Sequence, residues 1–204
     1  QMVDMQALKN LSLKYNFKII EDCAHCIEGN RNGIRPGQLG DAAAFSFYAT
    51  KNITSGEGGA ILTNDPALYE HLRSLRLHGM TKGAIDRHVH YQHWDMTELG
   101  YKANMCDVQA AMLLPQLLII EKLWERREEI AQMYEKALDE IGISYHKVEP
   151  GCKSARHLFP VLVNKDHRDI YLDKLQKAGI GVAVNYRAVH LLHYYKNNFS
   201  YKEG

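Results

Sequence analysis

Phe17-Lys18-Ile19-Ile20-Glu21-Asp22 is a short apolar run that closes on two acids. Such a run reads as a buried strand whose carboxyl end carries polar groups. Upstream, Leu8, Leu11, Leu13 and Tyr15 suggest an amphipathic helix, and a helix feeding such a strand is half of a βαβ unit. Downstream, the segment from Gly29 to Gly40 holds four glycines and Pro36 and reads as loop or hairpin. Ala42-Ala43-Ala44-Phe45-Ser46-Phe47 then restores a compact strand. Gly56-Glu57-Gly58-Gly59 interrupts the chain again, and Ala60-Ile61-Leu62-Thr63 is a further strand. Asn64-Asp65-Pro66 supplies a cap and an N1 proline for a helix through about Arg76. Strand, loop, strand, loop, strand, helix is an α/β order.

Beyond it, Thr81 to Lys102 has no clear period and reads as a long surface loop crowded with His88, His90, His93 and Trp94. No acid or cysteine stands at a metal-ligand spacing from these histidines, so solvated loop or interface groups are expected. Asp107 is expected to cap a long helical region to about Glu140. Its apolar stripe is Leu113, Leu117, Leu118, Ile120, Leu123 and Trp124, and Pro115 kinks it or separates two helices. Leu158-Phe159-Pro160-Val161-Leu162-Val163 predicts a strand, Asp166 to Ala178 a helix, Gly179-Ile180-Gly181 a turn and Val182-Ala183-Val184-Asn185 another strand. The tail is thus expected to be a small α+β lobe.

With 204 residues, 46% hydrophobic and 24% charged, the chain has an ordinary globular composition that disfavours disorder and low complexity. Lys+Arg 25 against Asp+Glu 24 leaves +1, and no dense basic run sits beside aromatics. No nucleic-acid or membrane partner is therefore expected. No apolar run reaches about 18 residues, and Gln1-Met2-Val3-Asp4 is neither a basic nor an apolar leader, so a cytoplasmic location is expected. Of the four cysteines only Cys23 and Cys26 are close, and a lone C-x-x-C without a second pair predicts reduced core residues and no metal.

Asp22 and Lys51 are the pair with chemistry to offer. Asp22 ends a strand where open α/β sheets bind ligands, and Lys51 follows the next strand, just before a Gly-rich turn. A desolvated lysine there forms a Schiff base readily. Pyridoxal phosphate needs such an amine, an acid at its pyridine nitrogen and donors for its phosphate. Asp22 and the hydroxyl of Ser46 have the right chemistry for the last two. On spacing alone a second reading stands beside this one, in which Asp22 caps a helix beginning at Cys23 and Lys51 is a solvated loop residue.

Ile20-Glu21-Asp22-Cys23-Ala24-His25 and Phe45-Ser46-Phe47-Tyr48-Ala49-Thr50-Lys51-Asn52-Ile53-Thr54-Ser55-Gly56-Glu57-Gly58-Gly59 together resemble the signature segments of the DegT/StrS-type sugar aminotransferases. Further matching segments are Leu75 to Gly79, Gly100 to Ala111, His157-Leu158-Phe159 and Asn185 to His190, so the resemblance covers nearly the whole chain. It implies part of a fold type I, pyridoxal-phosphate transferase: an α/β large domain with a mixed sheet and helices on both faces, its C-terminal portion at 1–125, and a small α+β domain at 126–204.

The resemblance also implies roles. Lys51 is the Schiff-base lysine and proton shuttle, Asp22 the pyridine-nitrogen partner, His25 a polar group near the cofactor's phenolic oxygen and Ser46 a phosphate ligand. Lys102 or Asn104 reaches the cofactor phosphate of a neighbouring subunit in a homodimer, and Arg187 and His190 lie near the substrate or pack between lobes. The implied reaction is ping-pong transamination from glutamate to a nucleotide-linked keto sugar, at C4 as in the UDP-4-amino-4-deoxy-L-arabinose type, in amino-sugar biosynthesis. Some relatives carry histidine in place of the lysine and act as dehydratases; Lys51 favours transamination. The non-Met start and the lack of an N-terminal cofactor cradle suggest an incomplete copy. The alternative is therefore a catalytically incompetent fragment that serves at most as an interaction module.

Overall fold

A computed structural model describes residues 1–80, 93–184 and 186–202. They form two compact units, Gln1–Pro160 and Val161–Gly204.

In the first unit, α1 (Met5–Tyr15) starts where the Asp4 carboxylate accepts the Ala7 N–H at 2.9 Å and stops at Asn16, whose left-handed backbone ends the helix. Met2, Met5 and Ile19 form a buried cluster under it, joined by Leu8, Cys26, Ile34 and Leu39. β1 (Ile20–Asp22) runs parallel to β3 (Ala42–Ser46) in the register Ile20↔Ala42 and Asp22↔Ala44, and β4 (Gly59–Leu62) runs antiparallel to β3. The sheet is therefore mixed, in the order β1-β3-β4. β2 (Asn30–Arg31) pairs antiparallel with β5 (Cys152–Lys153).

The expectation that Phe17 to Asp22 is buried throughout is corrected. Ile19 and Glu21 are buried, whereas Ile20 is 68% exposed and Asp22 is exposed, the alternation of a strand covered on one face only. The buried Glu21 carboxylate accepts backbone N–H bonds from Gly37 at 2.9 Å and Gly40 at 2.8 Å. A β-carbon on Gly40 would lie 2.7 Å from Glu21 Oε1, which accounts for a glycine there.

α2 (Pro66–Leu75) begins as expected, with the Asp65 side chain accepting from Ala67 and Leu68 and proline in the first turn. The long helical region is two helices, α3 (Asp107–Leu118) and α4 (Ile120–Glu140). They part at Ile119, while Pro115 lies inside α3, and the N-cap is Cys106 rather than Asp107. Of the expected stripe Leu113 is buried, but Leu118 is 87% exposed.

The second unit holds α5 (Arg168–Lys177), a 3-10 turn at Val189–Leu191 and α6 (His193–Phe199). Gly179, at φ +79°, turns the chain after α5 as expected. Neither Leu158 to Val163 nor Val182 to Val184 is a strand, and Asn185 lies outside the described residues. Both runs have strand-like composition, but the first goes no further than an isolated bridge at Val161 and a His146 N–H bond to the Pro160 carbonyl at 3.2 Å, too little for a ladder. Among the described residues no helix is long and apolar enough to cross a membrane.

Candidate functional site

Lys51 sits on the loop that leaves β3, and the residues after it are fixed one by one. Asn52 donates through Nδ2 to the Ala155 carbonyl at 2.9 Å and to the Glu28 carboxylate at 3.0 Å. Ile53 is 1% exposed and packs with Phe47 and Leu113. Thr54 N–H donates to Gln116 Oε1 at 2.9 Å, and Gln116 Nε2 returns a bond to the Thr54 carbonyl at 2.7 Å. Ser55 N–H donates to the Phe47 carbonyl at 3.0 Å. A β-carbon at Gly58 would lie 2.6 Å from both Met105 Sδ and Ser55 Oγ, so the turn closes tightly only with glycine. Lys51 itself is half-buried, and its ammonium makes no ion pair or hydrogen bond among the described residues.

Asp22 stands at the carboxyl end of β1, where its Oδ1 accepts the Ala24 N–H at 3.0 Å. No helix begins at Cys23, which removes the capping reading of this aspartate. His25 comes next, its ring centroid 4.2 Å from that of His157 at an interplanar angle of 39°. His157 Nδ1 lies 2.9 Å from Asn52 Oδ1. Behind Asn52, the Glu28 side chain is fully buried and ion-paired with Arg127.

These groups share one electrostatic environment. Partial desolvation and then the Lys51 charge lower the His25 pKa, while the Asp22 charge opposes them. His157 is pushed down to about 4, by burial first and then by His25, Lys51 and Arg127. Both rings are therefore neutral at pH 7. A cavity of about 290 Å³ opens beside them, lined by His25, His157, His146, Lys147, Arg156 and Phe159 among others.

Asp22, His25 and Lys51 are thus brought together. Ser46 is the last residue of β3, half-buried, its Oγ accepting the Tyr48 N–H at 3.3 Å. Lys102 and Asn104 are exposed on a segment tied to the end of α2, with Tyr101 N–H on the Leu75 carbonyl and Ala103 N–H on the Arg76 carbonyl. Among the described residues neither bonds to Asp22, His25 or Lys51. Arg187 and His190 are exposed residues of the second unit. His88 and His90 lie outside the described residues, and among those described no group of three His, Cys, Asp or Glu could hold a metal. All four cysteines are free; Cys23 is buried, its thiol pushed up to about 12 by burial and then by Glu21.

Sequence reasoning gave no role to Asn52, Glu28, Arg127 or His157. Glu28 and Arg127 are 99 residues apart and Asn52 and His157 are 105 apart, so only Asn52, next to the lysine, and His157, in the matching segment His157-Leu158-Phe159, carried a local signal.

The pattern of the DegT/DnrJ/EryC1/StrS aminotransferases matches residues 1–204. The chain belongs to this family. It is 36% identical to the spore coat polysaccharide biosynthesis protein SpsC of Bacillus subtilis, over 100% of this chain and 54% of that protein. It is 34% identical to the UDP-4-amino-4,6-dideoxy-N-acetyl-beta-L-altrosamine transaminase of Campylobacter jejuni, over 95% of this chain and 51% of that protein. Among solved structures it resembles Helicobacter pylori PseC, an aminotransferase of pseudoaminic acid biosynthesis, with TM-score 0.87 and 27% identity over 99% of this chain and 54% of that one. It also resembles the PLP form of a Streptococcus pneumoniae chain assigned to the sugar aminotransferases, with TM-score 0.83 and 28% identity over 96% and 54%. The family chain therefore spans about half the length of the relatives it matches. Pyridoxal phosphate is the cofactor that these relatives indicate.

Proposed function

We propose that the protein to which this chain belongs transfers an amino group from glutamate to a nucleotide-linked keto sugar, at C4, using pyridoxal phosphate. The observation that carries the reading is that Asp22, at the carboxyl end of β1, and Lys51, on the loop that leaves the adjacent parallel strand β3, both stand close enough to His25 for their charges to bear on its imidazole. The Campylobacter jejuni relative, a UDP-4-amino-4,6-dideoxy-N-acetyl-beta-L-altrosamine transaminase, supports the substrate class.

The donor set fits the cofactor chemically. An amine with no partner among the described residues stands on a fixed loop, a carboxylate ends β1 and a hydroxyl ends β3. Lys51 would hold the cofactor's carbonyl carbon, Asp22 its ring nitrogen, His25 its phenolic side and Ser46 its phosphate. Bound there, pyridoxal phosphate supplies an electron sink and a carrier for the amino group. Lys51 would move protons through Nζ, whose reach is set by the pinned backbone of its loop. Asp22 would favour, by its negative charge, a proton on the ring nitrogen. A neutral His25 accepts or donates one hydrogen bond without adding charge. Lys102 or Asn104 would serve a second subunit's cofactor phosphate, and Arg187 and His190 the substrate.

Treating the chain with pyridoxal phosphate, reducing with borohydride and mapping peptides by mass tests this reading. The label is expected on Lys51 and absent from Lys51→Ala. Labelling spread over the exposed lysines would overturn it. Assays with glutamate and a panel of nucleotide-linked 4-keto sugars, on a chain of the relatives' length, then test the substrate.

A further inference from the structure

We infer that His157 is a positioning residue for the Lys51 and His25 pair, held by Asn52 as the tautomer protonated at Nδ1. The inference rests on the reading of Lys51 and His25 given above and adds a residue to it.

Hydrogen-bond accounting fixes the tautomer. The amide nitrogen of Asn52 faces two acceptors that cannot donate, the Ala155 carbonyl at 2.9 Å and the Glu28 carboxylate at 3.0 Å. Its two hydrogens are thereby used, and its Oδ1, an acceptor only, is the atom turned toward His157. Nδ1 of His157 must therefore carry the proton. Glu28 is itself fully buried and held by Arg127, so the Asn52 amide cannot flip without leaving a buried carboxylate short of a donor.

The other half of the argument is the ring contact. The His157 ring lies 4.2 Å from that of His25, and the amide that orients it belongs to the residue following Lys51. Arg127, Glu28, Asn52, His157 and His25 thus form one chain of contacts from a buried ion pair to the exposed imidazole. The charges facing His157 are Lys51, Arg127 and His25 when protonated, and those facing His25 are Lys51 and Asp22. A cation on His157 would face the Lys51 and Arg127 charges, so the neutral ring is the form that packs against His25.

Two-bond proton–nitrogen correlation spectra of the histidine rings, recorded on the purified 204-residue chain without cofactor, test the tautomer directly. At pH 7 His157 is expected neutral and protonated at Nδ1. A ring protonated at Nε2 alone, or at both nitrogens, would overturn the inference, and this measurement needs no variant. His157→Gln keeps a donor for Asn52 and removes the ring; His25 is then expected to titrate at a higher pH. His157→Phe keeps the ring and removes the donor; amide exchange across 52–55 is then expected to quicken tenfold or more. Unchanged His25 titration in His157→Gln sinks the positioning role. Borohydride labelling of Lys51 is scored separately, so that its failure with an intact tautomer counts against the proposed function alone.

Discussion

The Nδ1 atom of His157 lies 2.9 Å from Oδ1 of Asn52, the neighbour of Lys51 in the chain. The contact joins the loop leaving β3 to a segment more than a hundred residues away, and Asn52 spends its remaining donors on Ala155 and Glu28. Asn52→Ala leaves three groups short of a partner. Thermal or urea unfolding is expected to show a loss of about 1–3 kcal/mol. A change within error would mean that water replaces the amide at no cost.

Arg127→Ala takes the counter-charge from the Glu28 carboxylate, whose side chain is fully buried, and leaves it only the neutral Asn52 amide as donor. Removal of one partner of such a pair costs about 3–5 kcal/mol. The pair Arg127→Met with Glu28→Gln removes both charges and is expected to regain most of that loss in the same denaturation experiment. If the double variant is as unstable as the single one, packing rather than the uncompensated charge sets the cost.

The depressed pKa of His157 makes stability depend on pH in a definite direction. The folded value is about 4 and the ordinary value 6.5, so between them the unfolded chain binds the extra proton. Stability is therefore full above about pH 6.5 and falls as the pH drops toward 4. His157→Gln is expected to flatten this part of the profile. A variant profile as steep as the original would assign the slope to other groups.

Gly100→Ala puts a β-carbon 2.1 Å from the Gly79 nitrogen and 2.8 Å from the Leu75 carbonyl oxygen. Backbone must move, and the segment carrying Lys102 and Asn104 moves with it. A loss of about 1–3 kcal/mol, typical of overpacking, is expected from thermal unfolding. An unchanged midpoint would show that this junction yields freely.

What could be read without coordinates was local. The α/β order followed from short apolar runs cut by glycines, and the proline-led start of α2 and the glycine turn after α5 were written in single residues. The one-sided burial of β1 was not legible, because Phe17, Ile19 and Ile20 are apolar on either face and only Glu21, satisfied by Gly37 and Gly40, reveals which side is covered. Leu158 to Val163 has the composition of a strand, but a ladder depends on a partner that composition does not specify. Pro115 pointed to a break that falls at Ile119. At the site, Asp22, His25, Ser46 and Lys51 stand within two short segments and were recognisable by resemblance. Of the residues behind them, Asn52 and His157 stood in matching segments without a role, and the pairing of Glu28 with Arg127 was hidden by sequence distance.

The bonds that immobilise Asn52, Ile53, Thr54 and Ser55 leave the lysine before them as a tethered arm on a stationary pivot. Its α-carbon gives up its conformational entropy when the chain folds, so capture of a carbonyl compound has only the four-carbon stem left to order. A covalent anchor built this way can let go of its partner and find it again without the surrounding backbone having to search.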